Sequence, residues 1–418
     1  LEIVEKAPDA REPKQADQLR GHFRSKVSDD PALIAANEEL KKLRENRAAV
    51  DRDIPLTLVW KERKEPRKSF LLTRGEYDQK GDEVTRQTPA VLPPLPEGVS
   101  NDRLGLALWL TDSSHPLTAR VAVNRFWQQL FGVGLVKTSE DFGSQGDPPS
   151  HPGLLDWLAA SFRENDWDVK SLVKSIVMSA TYRQSSKMDP MLIERDPENR
   201  LFARGPRFRL DAEMLRDQAL SVSGLLVEMQ GGSSVKPPQP DGLWFAVGYS
   251  GSNTVRFEPD QGADKVHRRS LYTFVKRTSP PPQMSTFDGP SREACVMRRE
   301  RTNTPMQALL LLNDPQFVEA SRALAERVLG ESELTDRLRA DRMLRLCLGR
   351  FATPQELDDL TTAFQEEWEF FKSDIEAAKR LTAIGDSEPM AGVDRSELAA
   401  WTTVASLLLN LDEVVTKN

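Results

Sequence analysis

Three groups of residues have types and spacings that can do chemistry. The first lies between Lys137 and His151, where Glu140, Asp141, Gln145, Asp147 and His151 share one short stretch with Gly143 and Gly146. Carboxylates beside an imidazole can move protons or hydrogen-bond a sugar. Asp141, Asp147 and His151 are therefore candidate catalytic groups, and Asn124, Arg125, Trp127 and Gln145 candidate substrate contacts. The same residues also suit a loop in which glycines take positive φ and polar side chains satisfy the backbone, so both readings stay open. The glycines make no phosphate loop, because no GxxxxGK[ST] is present and they do not join a strand to a helix.

The second group is Arg209, Glu213 and Arg216, at spacings of four and three, with Asp217 adjacent. On a helix these share one face, where carboxylates could hold a metal. No EXXH accompanies them, so an ion-pair ladder is the expected arrangement and no metal site is expected. The third group runs through Arg268, Lys276, Arg277, Asp288 and Arg301, all candidate substrate contacts. Cys295 lies within six residues of Arg292, Arg298, Arg299 and Arg301, a setting that can lower a thiol pKa, but no histidine is near in sequence to activate it.

The elements that must position these groups are mostly helical. Asp30-Pro31 opens a helix over about 31–50, and the alternation of Leu56, Leu58 and Trp60 predicts a strand over Pro55–Trp60, with another at Ser69–Leu72. From residue 101 the apolar spacing is helical over 103–110, 116–131, from His151-Pro152 onward, after the cap Asp168, and over about 209–227. Helices restart at Thr304-Pro305, after Asp314-Pro315 and at the capping box Thr353-Pro354-Gln355-Glu356, and a final one covers about 395–415. The fold class expected is mainly α: a multi-helix core, a long irregular, strand-containing excursion over about 230–300 with a strand at Ser270–Val275, and a small N-terminal β element. The domain division expected is a polar tail or linker at 1–30, a helix with short strands and a Pro-rich connector at 31–100, and a large helical domain at 101–418.

Composition narrows the function classes. The 418 residues carry 57 Lys+Arg and 64 Asp+Glu, a net charge of −7, with 39% hydrophobic residues, enough for a sizeable core. No apolar run is long enough to span a membrane, and two cysteines make neither a disulfide framework nor a CxxC pair. The charge is unevenly placed. Residues 265–301 hold nine Lys/Arg against three Asp/Glu (9 − 3 = +6), whereas residues 331–418 hold 10 bases and 18 acids (10 − 18 = −8). A cationic irregular segment can serve an anionic ligand such as a sulfated or uronic polysaccharide, or can pair with acidic helices of its own chain. Nucleic acid is not expected, since no reader motif accompanies the patch.

Several long motifs carry a resemblance: HPLTARVAVNRFWQQLFGVGLVKTSEDFGSQGDPPSHPGLLDWLA (115–159), SATYRQSS (179–186), DPENRLFARGPRFRLDAEMLRDQAL (196–220), RRSLYTFVKR (268–277) and TPMQALLLLND (304–314). From about Arg74 to Asn418 the chain resembles a domain family of unknown function found in secreted planctomycete proteins. The resemblance implies a C-terminal domain that follows a c-type cytochrome-like domain and a second uncharacterised domain, in a periplasmic or extracellular protein. The start at Leu1 without Met fits that reading. No CxxCH occurs in the chain, so a haem c is expected on the upstream portion or on a partner. The family supplies no catalytic residues to transfer, and LCLGRFATPQEL (346–357) is similar to a structural helix-turn-helix element. The function expected is polysaccharide binding or processing in a cytochrome-linked, oxidising system, with a non-catalytic scaffold or a carboxylate-dependent glycan hydrolase as alternatives.

Overall fold

The computed structural model describes residues 3–54, 56–249, 251, 254–331 and 334–417. The chain divides into two compact units, Leu1–Gln87 with Ser100–Asp102, and Thr88–Val99 with Arg103–Asn418. Among the described residues there are nineteen α-helices and two two-stranded sheets, a mainly α architecture as the periodicity predicts.

The first unit contains α1 (Pro13–His22), α2 (Pro31–Asp53), β1 (Ser69–Leu72) and β2 (Lys80–Val84). Asp30 Oδ1 accepts from the Ala32 N–H at 2.9 Å and caps α2. The stretch read as an aperiodic tail thus holds a helix. Its sequence PKQADQLRGH has no apolar stripe to signal one, and no residue of α1 or α2 is buried. β1 and β2 form an antiparallel hairpin with Phe70 opposite Glu83. The strand expected at 55–60 is absent over Leu56–Trp60, and Pro55 lies outside the described residues. Alternation alone did not suffice: a strand needs a hydrogen-bonded neighbour, and Leu56 and Leu58 stay almost fully exposed.

The second unit begins with α3 (Arg103–Thr111), α4 (Thr118–Phe131), α5 (Pro152–Glu164) and α6 (Val169–Val177), followed by the short α7 (Ala180–Arg183) and α8 (Pro190–Arg195). Asp168 caps α6 through the Ser171 N–H at 3.0 Å. Val123, Trp127 and Phe131 of α4 meet Leu155, Leu158 and Phe162 of α5 and Leu172 and Ile176 of α6 in one apolar cluster. Trp127 stacks on Phe131 at 4.2 Å, and Phe202 closes the cluster edge-on.

β3 (Phe208–Arg209) leads into α9 (Ala212–Ser223), shorter than the span of 209–227 that periodicity predicts because Gly224 turns left-handed at φ 82°. The excursion holds α10 (Leu243–Val247), α11 (Ala263–Val266) and α12 (Pro282–Thr286), and no strand among its described residues. The predicted strand Ser270–Val275 is a 3₁₀ turn over Ser270–Tyr272 with one bridge, Val235 to Thr273. Asp217 Oδ1 takes the Ser270 N–H at 2.7 Å, and the Thr273 N–H folds back to the Ser270 carbonyl at 3.1 Å, so the backbone groups a ladder needs are already engaged.

The second core is built from α13 (Pro305–Asn313), α14 (Pro315–Leu329), α15 (Asp336–Leu348), α16 (Pro354–Ser373), α17 (Ile375–Thr382) and α18 (Arg395–Leu409). α18 packs against α14, α16 and α17, with Trp401 at the centre. Asp314 caps α14 through the Gln316 N–H at 2.9 Å, and Thr353 and Glu356 cap α16 reciprocally. After α19 (Asp412–Val415), β4 (Thr416–Lys417) pairs antiparallel with β3, which ties the end of the chain to the start of α9.

Candidate functional site

The loop from Gly132 to His151 leaves the end of α4 and re-enters at α5. Asn124, wholly buried, holds it: Oδ1 accepts from the Val136 N–H at 2.8 Å, while Nδ2 donates to the Val136 carbonyl at 3.0 Å and to Ser139 Oγ at 3.1 Å. Gly134 passes so close that a Cβ there would sit 2.5 Å from Asn124 Nδ2. Asn124 and the buried Trp127 are therefore interior groups, enclosed where a ligand contact would have to be open. Asn124→Ala leaves the Val136 N–H unpaired in the interior and is expected to cost about 1–3 kcal/mol of stability. A urea melt checks it; an unchanged midpoint would show that the loop is held by other contacts.

The other loop candidates are at the surface but partly engaged. Asp141 Oδ1 accepts from the Gly143 N–H at 2.6 Å, and the Asp147 N–H donates to Thr138 Oγ1 at 2.8 Å. Gln145 is exposed. His151 precedes α5, with Nδ1 3.0 Å from Ser150 Oγ and its ring against Phe202. Among the described residues no hydrogen bond joins Asp141, Asp147 and His151 to one another.

The arginines of the second and third groups divide sharply by environment. The expected ladder on α9 does not form, because Arg209 lies in β3 and each member reaches a different part of the chain. Arg209 donates to Gln307 Oε1 and Asn303 Oδ1, Glu213 takes Arg299, and Arg216 donates to Gln316 Oε1, Ser270 Oγ and the carbonyls of Val266 and Arg268. Burial pushes Arg216 down to about 10 despite the nearby Asp217, Asp314 and Glu319. Arg268 is buried on the Tyr272 ring and donates to the carbonyls of Met229, Gly231 and Ser233, so it organises the excursion from within. Lys276 donates to the Thr254 carbonyl at 2.6 Å and lies over Trp244, whereas Arg277 is exposed. Asp288 accepts from Thr302.

One cavity collects the remaining cations. It measures about 750 Å³ and lies between α4, the start of α9 and residues 290–301, lined in part by Arg125, Asp211, Arg292, Arg298, Arg299 and Arg301. Arg299 donates to both Glu213 oxygens at 2.5 and 3.1 Å and lies 3.8 Å from Asp211. Burial works to raise the Glu213 pKa, but the bonds from Arg299 outweigh it and the carboxyl is held below its usual range. Arg301 sits over Phe208, donates to the Gly132 carbonyl at 3.1 Å and faces Asp211 at 3.8 Å. Arg298 makes only an exposed 3.5 Å contact with Glu140, and such pairs add little. Arg125 and Arg292 are exposed, and no ion pair holds either among the described residues. Cys295 is exposed in the same lining.

Among the described residues, the carboxylates that pair with the 265–301 cations are thus Glu140, Asp211, Glu213 and Asp217, and not the acidic helices after residue 331, which pair internally as in Arg339–Glu397 and Arg350–Glu356. Asp211 and Gln128 line this cavity without having been singled out in the sequence, whereas Glu213 stands in the second group and Arg292 beside Cys295. The local excess of arginine marked Arg292's segment and the spacing of the second group marked Glu213 and Asp217, but nothing local joined the two groups or marked Asp211.

Residues 102–364 match the family described as PSD1, protein of unknown function (DUF1553). The chain belongs to this family. The match covers most of the second unit, including α4, the 132–151 loop, α9 and the whole cavity lining, and it is narrower than the span from about Arg74 to Asn418 over which the sequence motifs suggest resemblance. No curated protein and no solved structure matches the chain. Among the described residues of this PSD1 chain, no helix is long and apolar enough to cross a membrane, and no three His, Cys, Asp or Glu side chains gather as a metal site.

Proposed function

We propose that this PSD1 domain binds an anionic polysaccharide in the cavity between α4 and residues 290–301. The observation that carries the reading is the pair of exposed guanidiniums, Arg125 and Arg292, that form no ion pair among the described residues, in a cavity large enough for sugar rings, within a chain whose net charge is −7. Guanidinium groups recognise sulfate and carboxylate through charge-assisted hydrogen bonds. The resemblance of the motifs to secreted planctomycete proteins extends the reading: an exported, periplasmic or extracellular protein in which this domain follows a cytochrome-like portion and handles polysaccharide in an oxidising system. Any haem c belongs to that portion or to a partner, since this chain has no CxxCH.

The test is calorimetric titration with sulfated, uronic and neutral polysaccharides. Anionic polymers are expected to bind, with affinity falling as salt rises, and Arg125→Ala with Arg292→Ala is expected to weaken binding about tenfold, roughly 1.4 kcal/mol. Equal binding of neutral and anionic polymers, or no binding of either, overturns the proposal. A scaffold reading is favoured by one separate observation: Arg216, Arg268 and Arg322 are buried and spend their donors on this chain's own carbonyls and side chains. Arg125→Ala distinguishes the two, because that exposed side chain of the cavity can affect ligand binding without loosening the fold.

A further inference from the structure

Residues 288–302 leave and re-enter the fold at one point. Asp288, at φ 58°, accepts from the Thr302 N–H at 2.7 Å and from its hydroxyl at 2.9 and 3.0 Å. Gln307 Nε2 reinforces this neck, donating to Thr302 Oγ1 and to the Thr286 carbonyl, each at 3.0 Å. Gln307 is itself buried, so the neck is anchored in the protein interior. A compact surface segment with closed ends is an Ω-loop, a form that often carries function.

Charge is distributed along this loop in two ways. Near the neck, Arg299 and Arg301 are fixed by Glu213, Asp211 and the Gly132 carbonyl. At the tip, residues 291–296 are all exposed. Beside the tip, the described ties to the body are Gln128 Nε2 to the Met297 carbonyl at 3.4 Å and the Arg298–Glu140 contact at 3.5 Å, while Arg292 itself acts on Glu213 through charge without an ion pair. Both sit at the long end of hydrogen-bond geometry, and a segment with few buried contacts opens at low free-energy cost.

We infer that the 288–302 Ω-loop is a ligand clamp, in which the neck fixes Arg299 and Arg301 as framework and the tip swings Arg292 onto an anionic group, sulfate ester or carboxylate, seated at Arg125. The inference rests on the reading of the cavity as an anion site and adds a division of labour among its arginines. A site that only attracted charge would be indifferent to the neck. A clamp is not, because the neck determines where the tip can close.

Thr302→Val separates these cases, since it removes the hydroxyl that joins Asp288 to Gln307 without changing any charge. The probes are dextran sulfate and polyglucuronate, titrated into the full chain, with tryptic cleavage after Arg292 followed by mass spectrometry. Either polymer is expected to protect Arg292 in the wild type. Thr302→Val is expected to weaken binding about fivefold and to lose most of that protection. Protection by one polymer alone identifies the anion. Arg292→Ala, at an exposed position, serves if Thr302→Val fails to fold; it should weaken binding about fivefold, while the exposed Arg380→Ala leaves it within about twofold. If the wild type binds a polyanion but Thr302→Val and Arg292→Ala bind it as tightly as the wild type does, and the polymer leaves Arg292 equally cleavable in the wild type and in Thr302→Val, the clamp is overturned while the anion site stands. If the wild type binds neither polymer, the anion site falls, and the clamp with it.

Discussion

Glu319→Ala is expected to lower the stability of the protein by about 3–5 kcal/mol, the loss associated with breaking a buried charged network on one side. Glu319 is buried on α14, and its Oε1 receives the Asp386 N–H at 3.0 Å, the Ser387 N–H at 2.8 Å and the Ser387 hydroxyl at 2.7 Å, with His267 Nε2 at 3.2 Å. It ties the excursion, through His267, and the turn before α18 to one helix. The turn is shaped for it: Gly385 has φ 115°, and a Cβ there would lie 2.5 Å from the Glu319 side chain. Burial alone would raise this carboxyl's pKa, but the bonds from His267 and Ser387 prevail and bring it down to about 2, from 4.5 in a free side chain.

The sign of the pH dependence follows. A carboxyl whose folded pKa is depressed contributes stability above its unfolded pKa and loses it as pH falls through the folded value. The Glu319 contribution, about 3 kcal/mol, is complete above about pH 4.5 and is lost progressively toward pH 2. Glu319→Gln should therefore flatten the stability profile between pH 5 and pH 2 (about that window) as well as lowering it at neutrality. Denaturant titrations of both proteins at several pH values decide the matter, and parallel profiles would show that the carboxylate charge plays no part.

The second large effect concerns Trp401. Its side chain is fully buried on α18, stacked on Phe364 of α16 at 4.2 Å, and Phe364 stacks in turn on Trp368 at 5.5 Å. Ala399, Ala400 and Ala405 around it let α18 approach its neighbours closely, which leaves the indole as the main filling volume. Trp401→Ala should cost about 3–5 kcal/mol, as large core truncations do when rigid helices cannot collapse into the cavity. The expected observation is a lower urea midpoint at an unchanged slope, with a weaker near-ultraviolet dichroism signal. A loss under about 1 kcal/mol would mean that the core repacks around the gap.

Much of this fold can be read locally. Asp30, Asp168, Asp314 and Thr353 start helices where their positions before Pro or an apolar stripe predict, because a cap and its N–H partners lie within three residues of each other. Local reading failed at two kinds of place. α1 carries no apolar periodicity, and of the segments expected as strands, 56–60 forms none and 270–275 makes one bridge, to Val235, among the described residues. The site follows the same division. Asn124, Trp127 and Arg268 look like ligand contacts in sequence, yet the fold buries all three, Asn124 under its own 132–151 loop and Arg268 under residues 229–233.

The sequence by itself determined the helical class, the caps and the excess of cations at 265–301, since each depends on composition or on spacings of a few residues. Tertiary structure alone decided which cations remain free. Arg299 meets Glu213 across 86 positions and Arg216 meets Gln316 across 100, while Arg125 and Arg292 stay exposed and form no ion pair among the described residues. The physical reason is range: an ion pair needs its partners within about 4 Å, and only the folded chain brings groups that far apart in sequence to that distance.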